Sequence, residues 1–297
     1  MKNPSLVRYA WLSVGAALAT IILKFSAFFI TGSVGLLSDA LEGIVNLVAA
    51  FVALMTLKVV EQPPDQTHEY GHDKAGYFSA GIEGTLIVVA AVTILFTSIN
   101  RLLNPQPIEQ GGIGLFIAGL AAVINLFVGQ ILLRTGKEHR SITLEADGHH
   151  LMSDVWSSVG VIVGVGLAVI SGIEWIDPAI AMLVGIKIGW EGIKILRRSM
   201  AGLMDTAMPA DERTILENIL DRYQEREGIE WHGLRTRQSG ALSFVDVHVL
   251  TPPDWTVQQA HDLIEVLELD IAEQLPGATV NTHIEPQGDP AAMADAG

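Results

Sequence analysis

Residues 34–60 read VGLLSDALEGIVNLVAAFVALMTLKVV, an apolar stretch that is long enough to cross a bilayer as a helix. Asp39, Glu42 and Asn46 interrupt its first half with groups that are costly to bury in hydrocarbon. The sequence therefore predicts an α-helical membrane domain of six transmembrane helices over residues 1–200. The six stretches with this character are about 9–30, 34–60, 78–102, 112–133, 147–170 and 178–197.

Composition separates this membrane domain from an acidic remainder. The chain has 297 residues, of which 49% are hydrophobic and only 17% charged, and it has no cysteine. Residues 1–198 contain 13 basic and 15 acidic side chains, whereas residues 199–297 contain 5 basic and 18 acidic ones. This asymmetry indicates a membrane and an aqueous environment, and the acidic charge argues against nucleic acid as a partner. Without thiolates, any bound metal must use histidine, carboxylate or amide ligands.

The charge of the connecting segments predicts the orientation of the spans. One set of span ends carries ten basic residues, whereas only Arg101 lies near the opposite set. Because basic segments stay on the cytoplasmic side, we expect both termini to be cytoplasmic. The first span is too long and too uniformly apolar for a cleaved signal peptide, so we expect it to be retained. The ten basic residues are Lys2, Arg8, Lys58, Lys74, Arg134, Lys137, Arg140, Lys194, Arg197 and Arg198.

A polar pattern occurs in both the second and the fifth span. Residues 39–46 read Asp-Ala-Leu-Glu-Gly-Ile-Val-Asn and residues 147–154 read Asp-Gly-His-His-Leu-Met-Ser-Asp, so both fit D-x-x-(E/H)-x-x-x-(N/D). Offsets of 3, 4 and 7 residues keep the polar positions on one helix face. Two such faces turned toward each other would combine one imidazole nitrogen with carboxylate and amide oxygens, which suits a divalent transition metal. Hydrogen bonding between helices is the alternative role of the four candidate ligands, which are Glu42, Asn46, His150 and Asp154.

The other charged groups within the spans are less informative. Asp39 and Asp147 lie a turn away from the candidate ligands, and we interpret them as helix-end or entry residues and not as ligands. Four further charged residues could line a cavity, pair with one another or extend to the membrane surface. No role is predicted for these four, which are Lys24, Glu83, Lys187 and Glu191.

The segment between the second and third spans contains a second candidate site. Residues 63–74 combine two prolines with histidines and acids. Asp65, His68 and His72 could form a shallow metal site of two nitrogens and one oxygen, and the proline pair would stiffen the chain beside it. A polar loop that binds no metal explains the same composition.

The acidic part predicts a small α+β domain over residues 205–286, followed by a disordered tail at 287–297. Two of its segments have helical periodicity, and three resemble strands. The order α-β-β-α-β predicts two helices packed on one face of a ferredoxin-like sheet. The helices are expected at 209–226 and 256–275, and the strands at 229–238, 241–251 and 278–285.

Four of the nine histidines lie in this domain and are candidate ligands together with a carboxylate. His232 and His248 fall on the two strands of one predicted hairpin, and His283 falls on the last strand, two residues before Glu285. With His261 they could converge on a metal cluster, and the acidic surroundings would favour a cation. Scattered surface histidines are the alternative interpretation.

The paired polar motif, the loop Tyr70-Gly-His-Asp-Lys74, six spans and an α-β-β-α-β tail together resemble the cation diffusion facilitator family of metal/proton antiporters. The resemblance covers about residues 5–286 and is closest to bacterial members that export zinc or iron. It implies a homodimer in the bacterial inner membrane that exports a divalent metal from the cytoplasm in exchange for protons by alternating access. It also implies that the tail is a cytoplasmic domain that binds metal and dimerises.

The resemblance implies a role for each group of candidate residues. The span motif matches the transport site of the family, the loop matches a shallow site, and the tail matches a cytoplasmic two-metal site. A further pair matches a charge interlock between protomers at the membrane surface. The transport site comprises Glu42, Asn46, His150 and Asp154, and the shallow loop site comprises Asp65, His68 and His72. The cytoplasmic two-metal site comprises His232, His248, His261, His283 and Glu285. The charge interlock pairs Lys74 with Asp205.

This chain departs from the family pattern at three positions. Zinc exporters of the family usually have Asp or His in place of Glu42 and Asp in place of Asn46, and Asn at that place is more often associated with manganese-type members. His150 favours zinc, and ferrous iron next, because imidazole suits these ions better than manganese. An exporter that prefers manganese, cobalt or cadmium is the alternative. In the tail, Glu285 replaces the usual Asp, which a carboxylate site should tolerate.

Two other classes of function are weighed against transport. In a membrane-anchored metal sensor or scaffold, the tail histidines would bind metal and the spans would only anchor the chain. The ligand-type residues inside the spans argue against that class, since an anchor has no use for them. An enzyme is not expected, because the chain contains no H-E-x-x-H, G-x-S-x-G or P-loop motif.

Overall fold

The structure is a computed structural model that describes residues 5–31, 34–104, 112–173 and 175–290. Within its helices, the side chains of residues 27, 30–31, 34–42, 113–115 and 169 lie outside the described set. The chain divides into two compact units, Met1–Met200 and Ala201–Gly297.

In its described part, the first unit consists almost entirely of six long helices. Five of them are long and apolar enough to cross a membrane. Large apolar side chains such as Phe96 and Phe127 are exposed on the outside of these helices, as expected for contact with lipid. The helices are α1 (Val7–Thr31), α2 (Val34–Val60), α3 (Ala75–Leu103), α4 (Gly112–Glu138), α5 (Ile142–Ser171) and α6 (Ile176–Leu203).

The sixth helix differs from the span predicted at 178–197. α6 is 28 residues long, but Asp177, Lys187 and Glu191 interrupt its apolar run, and among the described helices it is not one that meets the composition of a span. Charged groups in hydrocarbon are costly unless they find partners. Lys187 lies 4.1 Å above the ring of Trp156. The predicted helical membrane domain is confirmed as six long helices, of which five are apolar enough by composition alone to span a membrane and the sixth, α6, is more polar.

Close packing between α4 and α5 holds the part of α5 that carries the polar motif. A Cβ atom added to Gly148 would lie 2.8 Å from the side chain of Leu133, so only glycine allows this approach without a shift. The start of α5 is fixed by Ser141, whose hydroxyl accepts a hydrogen bond from the Leu144 N–H. Together these contacts fix the depth and rotation of His150 and Asp154.

The second unit is an α+β domain with a three-stranded mixed sheet in the order β1-β2-β3. β1 and β2 are antiparallel, whereas β2 and β3 are parallel. The fold class predicted from the sequence, a helical membrane domain followed by a small α-β-β-α-β domain, is confirmed. The elements are α7 (Ala210–Glu227), β1 (Glu230–Ser239), β2 (Leu242–Thr251), α8 (Val257–Gln274) and β3 (Ala278–Pro286).

The core of this domain lies between the two helices and one sheet face. Val245, Val247 and Val249 of β2 alternate onto that face and pack against apolar residues of α7 and α8, such as Leu220 and Leu267. The residues between these valines, including His248, therefore lie on the opposite face of the sheet.

The segment predicted as a disordered tail begins with an ordered residue. Gln287 donates hydrogen bonds from its backbone N–H to Thr251 O at 2.8 Å and from its side chain to Gly228 O at 2.7 Å. Residues 291–297 lie outside the described residues.

Candidate metal sites

Polar residues of α2 and α5 form a connected group inside the first unit. Asn46 Nδ2 donates a hydrogen bond to Asp154 Oδ2 at 2.6 Å, and His150 Nε2 lies 3.0 Å from Asn46 Oδ1. His150 is buried, and Asn46 and Asp154 are half-buried. The structure thus brings three of the four candidate transport ligands together. The side chain of the fourth, Glu42, lies outside the described residues, as does that of Asp39.

A fourth polar side chain, Asn125 of α4, joins this group although the sequence pattern did not predict it. Its Nδ2 atom donates to Asp154 Oδ2 at 3.3 Å, and only 6% of the residue is exposed. An amide in an apolar span was the available signal, because polar groups in a span mark functional or packing positions, but the same span also contains the amide Gln130. The same oxygen of Asp154 therefore accepts two amide hydrogen bonds.

This group has the chemistry of a site for a divalent transition metal. The side chains of His150, Asn46 and Asp154 offer one imidazole nitrogen, one amide oxygen and carboxylate oxygens. Zinc and neighbouring metals accept such mixed nitrogen and oxygen ligands. Binding requires that His150 Nε2 carries no proton, so protons and metal compete for this atom.

The loop before α3 brings its three candidate ligands together. His68 Nδ1 and His72 Nε2 each lie 3.4 Å from an oxygen of Asp65, and one ligand atom from each residue falls within 4.8 Å of the others. Asp65 Oδ1 accepts hydrogen bonds from the Thr67 hydroxyl and from the backbone N–H groups of Thr67 and His68, each at 2.8 Å. These hydrogen bonds hold the pKa of Asp65 below its ordinary value and keep it ionised as a ligand.

In the second unit, three histidines lie side by side across the sheet. His248 of β2 is opposite His232 of β1 and opposite His283 of β3. Glu285 lies two residues after His283 and faces all three rings, since its oxygens are 2.8 Å from His232 Nε2, 3.4 Å from His248 Nδ1 and 3.6 Å from His283 Nε2. The hydrogen bond from His232 is the main reason that the pKa of Glu285 is lowered.

A β-bulge places His232 in this row. A regular ladder continued from the pair Arg235 and Asp246 would set His232 opposite Val249, on the face that carries the core. Between His232 and Arg235 the register shifts, and His232 pairs with His248 instead. Gly233 lies within the shift and has φ +62, a conformation that glycine adopts without strain.

The five predicted ligands of this domain are not equally close. His232, His248 and Glu285 have ligand atoms within 4.8 Å of one another. His283 is more exposed and sits at the edge of this group, with its ring centroid 5.0 Å from that of His248. His261 lies on α8, where its Nε2 atom is 3.4 Å from Glu265, and it is not in the described group of converging ligand atoms.

The two residues of the predicted interlock belong to different units. Lys74 is the N-cap residue of α3. Asp205 has φ +56, and its carboxylate lies 3.8 Å from Arg237 Nη1 within the second unit. Their pairing between protomers stays a prediction.

The fold and its clusters of ligand-type side chains define a polytopic membrane protein with candidate sites for divalent metals. Two family models cover almost the whole chain: the cation efflux transmembrane domain over residues 10–204 and the cation efflux protein cytoplasmic domain over residues 208–287. The chain belongs to the cation efflux, or cation diffusion facilitator, family. It is a metal-cation efflux transporter and not an enzyme.

Individual relatives extend over most of the chain. It is 48% identical over 282 residues to the uncharacterized transporter sll1263 of Synechocystis sp., covering 95% of this chain and 91% of that one. It is 28% identical over 281 residues to the cation-efflux pump FieF of Klebsiella pneumoniae subsp. pneumoniae, covering 94% and 92%. A solved structure of CzrB is 34% identical to this chain, covering 27% of this chain and 99% of that one, with a TM-score of 0.26.

Proposed function

We propose that this transporter exports a divalent transition metal from the cytoplasm in exchange for protons, with zinc preferred and ferrous iron next. The observation that carries the proposal is the contact between His150, Asn46 and Asp154 inside the helical unit. An imidazole nitrogen beside carboxylate and amide oxygens favours zinc or ferrous iron over manganese. The similarity to FieF, a cation-efflux pump, supports a metal cation as cargo.

Charge balance supports a site within the membrane. Glu42 and Asp154, as two carboxylates, would carry a charge of −2, which a divalent ion neutralises. A neutral complex avoids most of the cost of a charge in hydrocarbon. Transport of a monovalent ion would leave one charge uncompensated.

Protons provide the driving force in this mechanism. Imidazole has an ordinary pKa near 6.5, so His150 can exchange a proton for a metal near neutral pH. When the site opens outward, protons bind to His150 and to a carboxylate and so displace the metal from these ligands. When it opens inward, loss of those protons frees the ligands for the next ion.

The remaining groups have supporting roles in this proposal. The protein works as a homodimer in the bacterial inner membrane with both termini cytoplasmic, as the basic span ends indicate. The domain at 205–286 dimerises and binds metal at its histidine cluster, and Lys74 pairs with Asp205 of the partner subunit at the membrane surface. The loop site of Asp65, His68 and His72 holds metal near the mouth of the transport path.

Reconstitution tests the transport site and the antiport together. We expect Asp154→Ala to abolish zinc-dependent proton flux in proteoliposomes, because both amides lose their acceptor and the metal loses a carboxylate. Glu191→Gln on α6 is the matched control, since Glu191 is partly exposed and pairs with Lys194 at 3.3 Å. Wild-type flux in Asp154→Ala would refute the site, and metal binding without any flux in the wild type would favour a sensor or scaffold.

Titration with different metal ions tests which metal the transporter prefers. Isothermal titration of zinc, iron, manganese, cobalt and cadmium compares the wild type with Asn46→Asp. We expect the wild type to bind zinc most tightly, and we expect the variant to bind all five more tightly because a carboxylate replaces a neutral donor. Tighter binding of manganese than of zinc by the wild type would establish the manganese-type alternative.

A further inference from the structure

The amide of Asn125 is only half satisfied by its contact with Asp154. Asn125 lies in the middle of α4, and 6% of it is exposed. Its Nδ2 atom donates to Asp154 Oδ2, whereas its Oδ1 atom is buried and has no hydrogen-bond partner among the described residues. A buried acceptor without a partner costs free energy, and a polar group within a span marks a functional position by default. The amide oxygen therefore calls for a partner that the neighbouring side chains do not supply.

Close packing of α4 on α5 fixes the place of Asn125. Gly129 follows one turn later on the same face of α4. A Cβ atom added to Gly129 would lie 3.3 Å from the backbone oxygen of Gly148 and 3.4 Å from the side chain of Met152. The absence of a side chain at Gly129 thus lets the two helices approach, and this approach holds Asn125 beside Asp154.

A half-turn of the amide brings its oxygen to the site. The nitrogen and oxygen of an amide have nearly the same shape, so rotation about the Cβ–Cγ bond exchanges their places. For Asn125 this rotation breaks only the bond to Asp154, since Oδ1 has no partner to lose. Oδ1 then takes the place of Nδ2, 3.3 Å from Asp154 Oδ2. Two ligand atoms that bind one ion at about 2.0–2.2 Å lie roughly 2.8–3.6 Å apart, so the exchanged oxygen is at ligand distance.

We propose that Asn125 is a further ligand of the transported metal, which it binds through Oδ1, so that α4 joins α2 and α5 in holding the ion. This inference rests on the proposed function. Without metal, the amide donates to Asp154; when a metal binds Asp154, the amide rotates and binds the same ion. An amide oxygen adds no charge, so two carboxylates still neutralise a divalent ion within the membrane.

An additional oxygen ligand affects different metals unequally. Zinc prefers four ligands, whereas manganese prefers six and binds oxygen ligands well. Asn125, added to the four ligands predicted from the sequence, therefore strengthens the binding of manganese more than that of zinc and widens the range of ions that the site accepts. A hydrogen bond that only orients Asp154 would instead strengthen the binding of both metals by the same factor.

Titration of the full-length protein with zinc and with manganese tests the ligand role. Asn125→Leu removes both the donor and the ligand, and Gln130→Leu is the matched control because Gln130 is the exposed amide of the same helix. Both are made in protein that carries His72→Ala and His248→Ala, which weaken the loop and sheet clusters, and the binding that remains with Asp154→Ala is subtracted. We expect Asn125→Leu to lower zinc affinity roughly 10-fold and manganese affinity roughly 100-fold, with no change in Gln130→Leu. An equal loss for both metals, or no loss, would overturn the ligand role.

Bound cobalt reports the number of ligands independently. Cobalt(II) with four ligands absorbs visible light more strongly than cobalt(II) with five or six. In the same background, we expect stronger absorption per bound cobalt in Asn125→Leu than in the parent protein or in Gln130→Leu. Identical spectra in all three would overturn the ligand role. These measurements need binding alone, so absence of zinc-dependent proton flux in the wild type would refute the proposed antiport without deciding the role of Asn125.

Discussion

The group inside the helical unit and the cluster on the sheet use the same kinds of ligand, one between helices and the other on the face of a sheet. The first has one imidazole, His150, next to an amide and a carboxylate, and its histidine is buried. The second has three imidazoles around Glu285, and His283 is largely exposed. The exposed His283 leaves one side of the sheet cluster open to water, whereas a site between membrane helices must neutralise the charge of a metal with its own carboxylates.

The difference indicates which group can couple metal transport to proton transport. In the helical group, His150 Nε2, Asn46 Oδ1 and Asp154 Oδ2 already take part in hydrogen bonds within the group, so a metal that binds them must displace these contacts. On the sheet, water can replace a lost ligand. The group between the helices therefore suits transport, and the sheet cluster suits metal-dependent stabilisation or regulation.

The largest expected effect separates the two groups by matched histidine substitutions. We expect His150→Ala to abolish zinc uptake into proteoliposomes, since the buried site loses its only nitrogen ligand. We expect His248→Ala to weaken metal binding by the sheet cluster about 10- to 100-fold and to leave uptake measurable. Equal loss of uptake in both variants would place the sheet cluster on the transport path.

A smaller effect is expected at Asn125, which supports the buried carboxylate from α4. Asn125→Ala removes one of two amide donors to Asp154 and should lower the zinc affinity of the transport site by roughly 10-fold. Asn100→Ala on α3 is the control, because Asn100 is exposed and bonds only with its neighbour Asn104 among the described contacts. Equal affinities of the two variants would remove Asn125 from the site.

The smallest effect is expected at the bulge beside the sheet cluster. Gly233→Ala and Gly288→Ala both place a Cβ at positive φ, +62 and +81, and each should cost about 1–2 kcal/mol of free energy of unfolding. Only at Gly233 does the new Cβ lie 3.5 Å from the His248 ring. We therefore expect weaker zinc binding by the cluster in Gly233→Ala alone, measured by titration. Equal zinc affinities of the two variants would show that the bulge does not tune the cluster.

Helix positions were predictable because helical periodicity is local. An offset of four residues puts His150 and Asp154 on one face of α5 in any helix, and the repeated pattern in α2 indicated Asn46 as their partner. Asn125 was not predictable, because nothing in the sequence distinguishes it from Gln130 of the same span and its contact depends on how α4 packs against α5. The sixth helix was predictable from its length, although Lys187 and Glu191 make it more polar than the other five.

What the sequence alone determined is the kind of protein: apolar stretches long enough to span a bilayer, a doubled polar motif, and an acidic α-β-β-α-β tail that follows them. Each of these depends on neighbours a few residues apart. The tertiary structure alone decided which side chains meet across elements. The strongest case is His232, which a regular hairpin would point into the core and which one glycine bulge instead moves into line with His248 and Glu285. Strand register depends on a single residue of slip, and no spacing in the sequence records it.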